Sequence, residues 1–485
     1  MERTWKPVDD VNVVTANRGG GGSPATRWRR LAAAIACAIP SAPLPASVVA
    51  EATPPVVGEW RAVLLTHGGE LPFGLEFATA VDGIAAAVWN GAERIAVPRA
   101  AFDAASGRLT LDFPHYDSRI EAQVGAEGRE LAGSWRKRRS AQEWVELPFQ
   151  AVAGRARRFT ADLLHQPPRD ADPARQAREF AAAVALANGR HAVRFAASDD
   201  PAVGEFVVSA DGTATGTFLT TTGDYRFLAG QLDRAFAGDD GLVGCSDDGQ
   251  PHHFLRLSCF DGAHAFLFSA ELHADGSLDG GFWSGDRWYE RWTARRDPTA
   301  ALPDGFALSR APGAVALHEL SFPQVFDPAA PDAPAGFATR RLGDPDLCGK
   351  VTLYQLFGSW CPNCHDAARE LKELQREFGP RGLELVGLAF ELTGDAARDA
   401  EQVRRYATRH SVRFPLLLAG GADKQAATAT LGVLDRVKAF PTTLFVDASG
   451  RIRHVFTGFN GPATGAAHAA QRAEFRRRIE ELLAE

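Results

Sequence analysis

Between residue 56 and about 297, apolar and polar positions alternate in short runs with a period of two. Turn signals such as Asp211-Gly212, Ala274-Asp275-Gly276 and Ser284-Gly285-Asp286 punctuate them. That pattern predicts antiparallel strands joined by tight turns. Past about residue 336 the pattern changes. Residues 351–357 and 383–390 are mostly apolar runs without period-two alternation, as expected of strands covered on both faces. Ala368, Leu371, Leu374 and Phe378 recur every three or four residues, 396–410 reads as a helix, and Phe475, Ile479 and Leu482 mark one face of a closing helix over 469–483. Residues 440–447 and 452–456 read as a hairpin. The expected fold class is multidomain α+β, with an antiparallel β-rich N-terminal region and a C-terminal α/β domain.

The β-rich region contains an internal echo. Segments 109–113, 118–124 and 131–135 recur as 255–258, 265–272 and 278–283, and each copy carries a tryptophan shortly after glycine, Trp135 and Trp283. This predicts two related β units over 56–155 and 189–297, built as sandwiches or half-barrels or closed together into one large barrel. A linker over 156–188, helical from about 174, joins them. Pro-rich residues 298–335 read as a second linker, leaving 336–485 as the last domain. The aromatic set Trp60, Phe73, Trp89, Trp283, Trp288 and Trp292 admits two readings, core packing and the wall of a ligand site.

Composition narrows the function classes. Of 485 residues, 45% are hydrophobic and 23% charged, with a net charge of −7, an ordinary globular balance that speaks against a nucleic-acid surface. No P-loop or dinucleotide fingerprint follows a strand. Arg27-Trp28-Arg29-Arg30, the apolar run 31–39 and the small residues from Ala46 to Ala50 read as an export signal, so 1–50 is a targeting segment. Pro40, Pro43 and Pro45 make it a poor membrane span, and Cys37 offers a degenerate lipoprotein box as the alternative. Any membrane association runs through this segment alone. The expected location is extracytoplasmic, periplasmic or secreted.

The strongest chemical signal is Trp360-Cys361-Pro362-Asn363-Cys364, placed between an apolar strand and an amphipathic helix. Two cysteines one helical turn apart can close a disulfide ring. At a helix N-terminus the unpaired N–H groups and the dipole favour a thiolate on the first sulfur. Cys361 is therefore the expected nucleophile and Cys364 the buried resolving thiol. Half a zinc site is the competing reading, but only His365 and distant His410 could complement it, so no metal is implied. No organic cofactor is implied either.

With the Phe440-Pro441-Thr442-Thr443 strand start, this order of elements resembles the thioredoxin fold, and within it the TlpA-type extracytoplasmic disulfide reductases, over roughly 312–485. The resemblance implies a thiol:disulfide oxidoreductase, in the reductase direction, acting on protein thiols or disulfides and drawing on an unidentified electron donor. It implies a cis Phe440-Pro441 bond facing the dithiol. It also implies a substrate groove built from Trp360, Phe440, Pro441 and Phe459, the last within 458–462. Three positions depart from the pattern. Gln355 replaces the buried acid of thioredoxins, Ala367 the glutamate frequent in TlpA-like chains, and Arg369 the helix-kinking proline. Glu391 is then the candidate proton acceptor for Cys364. Cys245 and Cys259 flank a turn and suggest a structural disulfide, with two buried thiols as the alternative. Cys348 reads as a plain core or loop thiol or, as the lesser reading, a resolving one. Two rival functions stand. A peroxiredoxin-like peroxide reductase would need Thr and Pro just upstream of Cys361, where Phe357-Gly358-Ser359-Trp360 stand. The other rival is a non-enzymatic binding protein with a docking module.

Overall fold

The computed structural model describes residues 56–154, 157–159, 172–236, 251–313, 317–333 and 336–485. The first nine strands are β1 (Gly58–Thr66), β2 (Gly69–Ala80), β3 (Gly83–Asn90), β4 (Glu93–Ala96), β5 (Arg99–Asp103), β6 (Arg108–Phe113), β7 (Ser118–Val124), β8 (Glu130–Arg138) and β9 (Trp144–Ala153). They form one antiparallel sheet in the order β4-β3-β2-β1-β9-β8-β7-β6-β5. Pairing of the first strand with the last curls the meander round, and its end strands β4 and β5 are consecutive in the chain, linked through residues 97–98. Alternation decides which face is inside: in β6 the buried residues are Leu109, Leu111 and Phe113, with Arg108, Thr110 and Asp112 between them.

Helix α1 (Pro173–Ala187) is capped by Asp172 and leads into nine further strands. These are β10 (Gly189–Phe195), β11 (Ala202–Val208), β12 (Thr213–Thr220), β13 (Gly223–Asp224), β14 (Leu228–Phe236), β15 (Pro251–Phe260), β16 (Ala265–Leu272), β17 (Leu278–Ser284) and β18 (Trp288–Arg296). β10 pairs with both β11 and β18, and β11 pairs with β12, so the main strands close an eight-stranded antiparallel barrel with β13 as a short appendage. The interior is filled by Phe195, Phe206, Phe218, Phe268, Phe282 and Trp292, with Phe268 stacked on Phe282 at 4.3 Å. One large barrel across both units, the expectation left open above, is not formed; the sheets are separate. They do share a core, because Phe260 inserts between Phe73 and Trp135, at ring distances of 4.5 and 5.4 Å. Of the aromatic set, Trp60, Phe73, Trp283 and Trp292 are buried in these cores, so core packing accounts for them. Cys259 is buried, while Cys245 lies outside the described residues, as do the targeting segment and all of residues 237–250.

The third sheet comprises β19 (Ser321–Phe326), β20 (Thr339–Arg341), β21 (Val351–Phe357), β22 (Leu383–Glu391), β23 (Leu416–Gly421), β24 (Thr442–Val446) and β25 (Ile452–Thr457). Its order is β20-β19-β23-β22-β21-β24-β25, with β21, β22 and β23 parallel and β24 antiparallel to β21. Helices α2 (Pro362–Phe378), α3 (Ala396–His410), α4 (Lys424–Leu431) and α5 (Ala466–Ala484) complete a thioredoxin fold. All seven residues of β21 are buried, which is why that run is apolar without alternation. The span 298–335, read from its prolines as a connector, contains β19 and so contributes a strand to this sheet. Among the described residues no helix is long and apolar enough to cross a membrane.

Candidate active site

β21 ends at Phe357, and Gly358-Ser359-Trp360 turns the chain into α2 with Cys361 as its N-cap. Pro362 occupies the first helical position, where a missing N–H costs no helix bond. The Cys361 sulfur accepts from Cys364 N–H at 3.3 Å and lies 3.5 Å from Phe440 O. The Phe440-Pro441 bond is cis. Trp360 Nε1 donates to Phe390 O at 2.9 Å, and its ring meets Phe440 edge-on at 6.1 Å. The structure therefore brings Cys361, Cys364, Trp360, Phe440 and Pro441 together. The loop carrying Phe459 reaches the same place, with Gly458 N–H donating to Pro441 O at 2.9 Å, but the Phe459 ring is buried against His468 beneath the β12–β13 turn of the barrel.

The two thiols are driven apart electrostatically. Burial pushes Cys361 up, but the side-chain and backbone hydrogen bonds with Cys364 and the nearby Lys137 ammonium outweigh it and hold this thiol below its ordinary value. Cys364 is raised well above its ordinary value by burial, and then by its hydrogen bond to Cys361 and the Cys361 charge. Glu391 is also buried. It accepts from Ser359 N–H and Ser359 Oγ, both at 2.7 Å, and burial lifts its carboxyl to about 8 against those bonds. Gln355 accepts from Thr443 Oγ1 at 2.8 Å on the neighbouring strand and supplies no carboxylate.

One contributor comes from a distant part of the chain and has no local sequence signal. Lys137 of β8 reaches over to donate to Ala263 O at 3.0 Å, and burial lowers its ammonium to about 8. His365 is held by Ser359 O at Nε2 (2.7 Å) and by His410 Nε2 at Nδ1 (2.6 Å), and burial keeps it well below the usual histidine range, neutral. Both ring nitrogens are thus committed, which leaves the pair unsuited to complementing a CxxC zinc site. Among the described residues no three His, Cys, Asp or Glu side chains converge as metal ligands. Cys348 is exposed, with its sulfur 3.2 Å from Gly343 O. It precedes β21 whereas Cys361 follows it, so seven extended residues, roughly 20 Å, part the two thiols and exclude a resolving role for Cys348.

Because Lys137 is the cation that favours the Cys361 thiolate, Lys137→Met should raise the midpoint of Cys361 alkylation. In the parent chain that help should fade as pH rises through about 8. A pH series of iodoacetamide rates checks this. Identical midpoints in the two proteins would show that the helix end acts alone.

Residues 324–470 match the Redoxin family model. Over the same part, the chain is 31% identical to the thiol:disulfide interchange protein DsbE of Pseudomonas aeruginosa, covering 28% of this chain and 61% of that one. It is 25% identical to the thiol-disulfide oxidoreductase ResA of Halalkalibacterium halodurans, over 23% of this chain and 57% of that one. The chain thus spans about three fifths of the length of these relatives. A solved thiol:disulfide interchange protein of the thioredoxin family from Chlorobium tepidum TLS is 20% identical and covers 35% of this chain and 98% of its own, at a TM-score of 0.25. The chain carries a Redoxin domain homologous to the ResA and DsbE oxidoreductases, confined to its C-terminal part.

Proposed function

We propose that this chain is a thiol:disulfide oxidoreductase whose Redoxin domain works through the Cys361–Cys364 pair. The observation that carries the reading is Cys361 as N-cap of α2, its sulfur already accepting the Cys364 N–H and its thiol lowered while its partner's is raised. The Cys361 thiolate attacks a substrate disulfide and gives a mixed disulfide. Cys364 then attacks the Cys361 sulfur, releasing the second substrate thiol. Trp360 and the cis Phe440-Pro441 segment orient the incoming disulfide. The resemblance implies protein thiols as partners and a reductase direction. The Arg27–Arg30 signal supports export, with cleavage near Ala46 or Ala50; N-terminal sequencing of mature protein that still begins at Met1 would exclude it. The two β units are read as related copies, since β6–β9 and β15–β18 hold matching places in two meanders whose first and last strands pair. A Cys245–Cys259 bridge remains a proposal for the barrel.

Single-turnover oxidation of the reduced chain by a disulfide, followed by Trp360 fluorescence, tests the reading. No reaction above the solution rate would refute it. The same experiment examines Glu391, whose charge raises Cys364. With its carboxyl at about 8, Glu391 carries a proton at neutral pH and becomes a base above that. Resolution by Cys364 should accelerate as pH rises through about 8, and Glu391→Gln should slow it and flatten that rise. An unchanged profile would assign the proton to water or to the leaving thiolate.

A further inference from the structure

In an uncovered thioredoxin-like domain the dithiol and the cis-proline turn face solvent. Here the barrel turn 220–226 lies over them. Gly223 packs so closely that a Cβ there would sit 2.1 Å from Asn363 Nδ2, between the two cysteines, and 3.4 Å from Phe459 O. A Cβ on Gly461 would lie 2.5 Å from Asp224 Oδ1, which already accepts Gly461 N–H at 2.8 Å. Asn363 Nδ2 donates to Asp224 O at 3.4 Å. Arg226, at a left-handed φ of 66°, is buried against Asp366 of α2. This is a packed interface. It leaves Cys361 only 7% exposed.

What remains in front of the sulfur is a cavity of about 250 Å³. One wall is Trp360, Cys361 and Phe440; the other is Thr222, Tyr225 and Phe266 of the barrel. That volume lies below the usual range of drug-sized pockets, about 300–1,000 Å³, and suits a single amino acid or a very short peptide. A polypeptide crossing the groove to pair with the backbone at Pro441 would have to pass through the turn 220–226. Resting on the oxidoreductase reading above, we propose that the barrel forms half of the substrate pocket and restricts the site to low-molecular-weight disulfides, of the size of an amino-acid disulfide, in place of the protein substrates that the resemblance implies. The Cys361 thiolate attacks one sulfur of RS–SR′, that S–S bond breaks, and R′S⁻ leaves and takes up a proton. Cys364, losing its proton, attacks the Cys361 sulfur and expels RS⁻. The substrate gains two electrons, the protein becomes the Cys361–Cys364 disulfide, and a dithiol reductant restores it.

The test uses the reduced full chain in stopped flow, with cystine, bis(2-hydroxyethyl) disulfide and insulin, each rate divided by that disulfide's rate with dithiothreitol. The small disulfides should react at least about ten-fold faster than insulin after this correction. Thr222→Trp, which fills the cavity from the barrel side, should slow the small disulfides by about ten-fold or more. Insulin reacting as fast as the small disulfides, or Thr222→Trp leaving their rates unchanged, would overturn the pocket assignment. Absence of reaction with all three would overturn the oxidoreductase reading instead. Circular dichroism of the variant separates a filled pocket from a misfolded barrel, and in the latter case Phe266→Trp repeats the test from β16 on the same wall of the cavity.

Discussion

Cys361→Ala should abolish disulfide exchange, leaving only the slow reaction of the disulfide with solvent hydroxide and free thiol. Cys361 is the thiol that the geometry makes a nucleophile: its sulfur caps α2 and is held below its ordinary value. Cys364 cannot substitute, because it is fully buried behind Cys361 and its thiol is pushed up. Cys364→Ser should behave differently. The first attack proceeds, the mixed disulfide forms, and no second sulfur releases it. Mass spectrometry should then find one substrate thiol per chain, removable by dithiothreitol. Full turnover in Cys361→Ala, or no adduct on Cys364→Ser, would refute the assignment of roles. Cys348→Ser should leave both steps unchanged, since that thiol lies at the far end of β21.

Arg226→Met should destabilise the chain by about 3–5 kcal/mol, the cost of leaving buried charge without its partner. The guanidinium contacts Asp366 and reaches Asp261 at 3.3 Å and Glu93 at 3.3 Å, while the Arg226 backbone N–H donates to Asp224 Oδ2 at 3.0 Å. It thereby ties the barrel turn to the dithiol helix and to β4 of the first sheet. Its acidic partners do not weigh equally. Burial raises Glu93 from the usual 4.5 to about 7 although Arg226 opposes the shift, so below neutrality Glu93 already carries a proton. Since the folded value is raised, the stability Glu93 contributes is complete below 4.5 and is lost as pH rises through about 7. Glu93→Gln at pH 6 should accordingly cost less than about 1 kcal/mol. Chemical denaturation of both variants gives the comparison. Equal losses, or an Arg226→Met change within about 1 kcal/mol, would mean that water reaches the cluster and replaces the pairing.

The sequence located the reactive centre well because its determinants are local. A CxxC between an apolar strand and an amphipathic helix places both sulfurs on the first helical turn, and Ala368, Leu371, Leu374 and Phe378 give that helix its buried face. The residues 351–357 read as a fully buried strand are all buried in the structure. The period-two pattern likewise marked the antiparallel strands of the β-rich region. It could not decide how they close, because alternation specifies which face is inside and says nothing about which strand the last one meets. Pairing of β18 with β10, and of β11 with β12, makes the barrel.

Phe459 shows the same limit at the site. A Gly/Pro-rich loop after the last strand reads as a groove wall, and Gly458 does bond the Pro441 carbonyl, but the barrel turn packs onto Gly458 and Gly461 and the Phe459 ring is buried against His468. By itself, then, the sequence determined the nucleophile, its partner and the fold around them, since these rest on hydrophobic period and on spacing within one helical turn. Only the tertiary structure decided what surrounds them: Lys137 beside the thiolate, Arg226 clamped to Asp366, Glu391 buried at about 8, and the turn 220–226 over the cavity. Those effects come from residues a hundred or more positions apart, or from desolvation, and each exists only once three sheets have packed against one another.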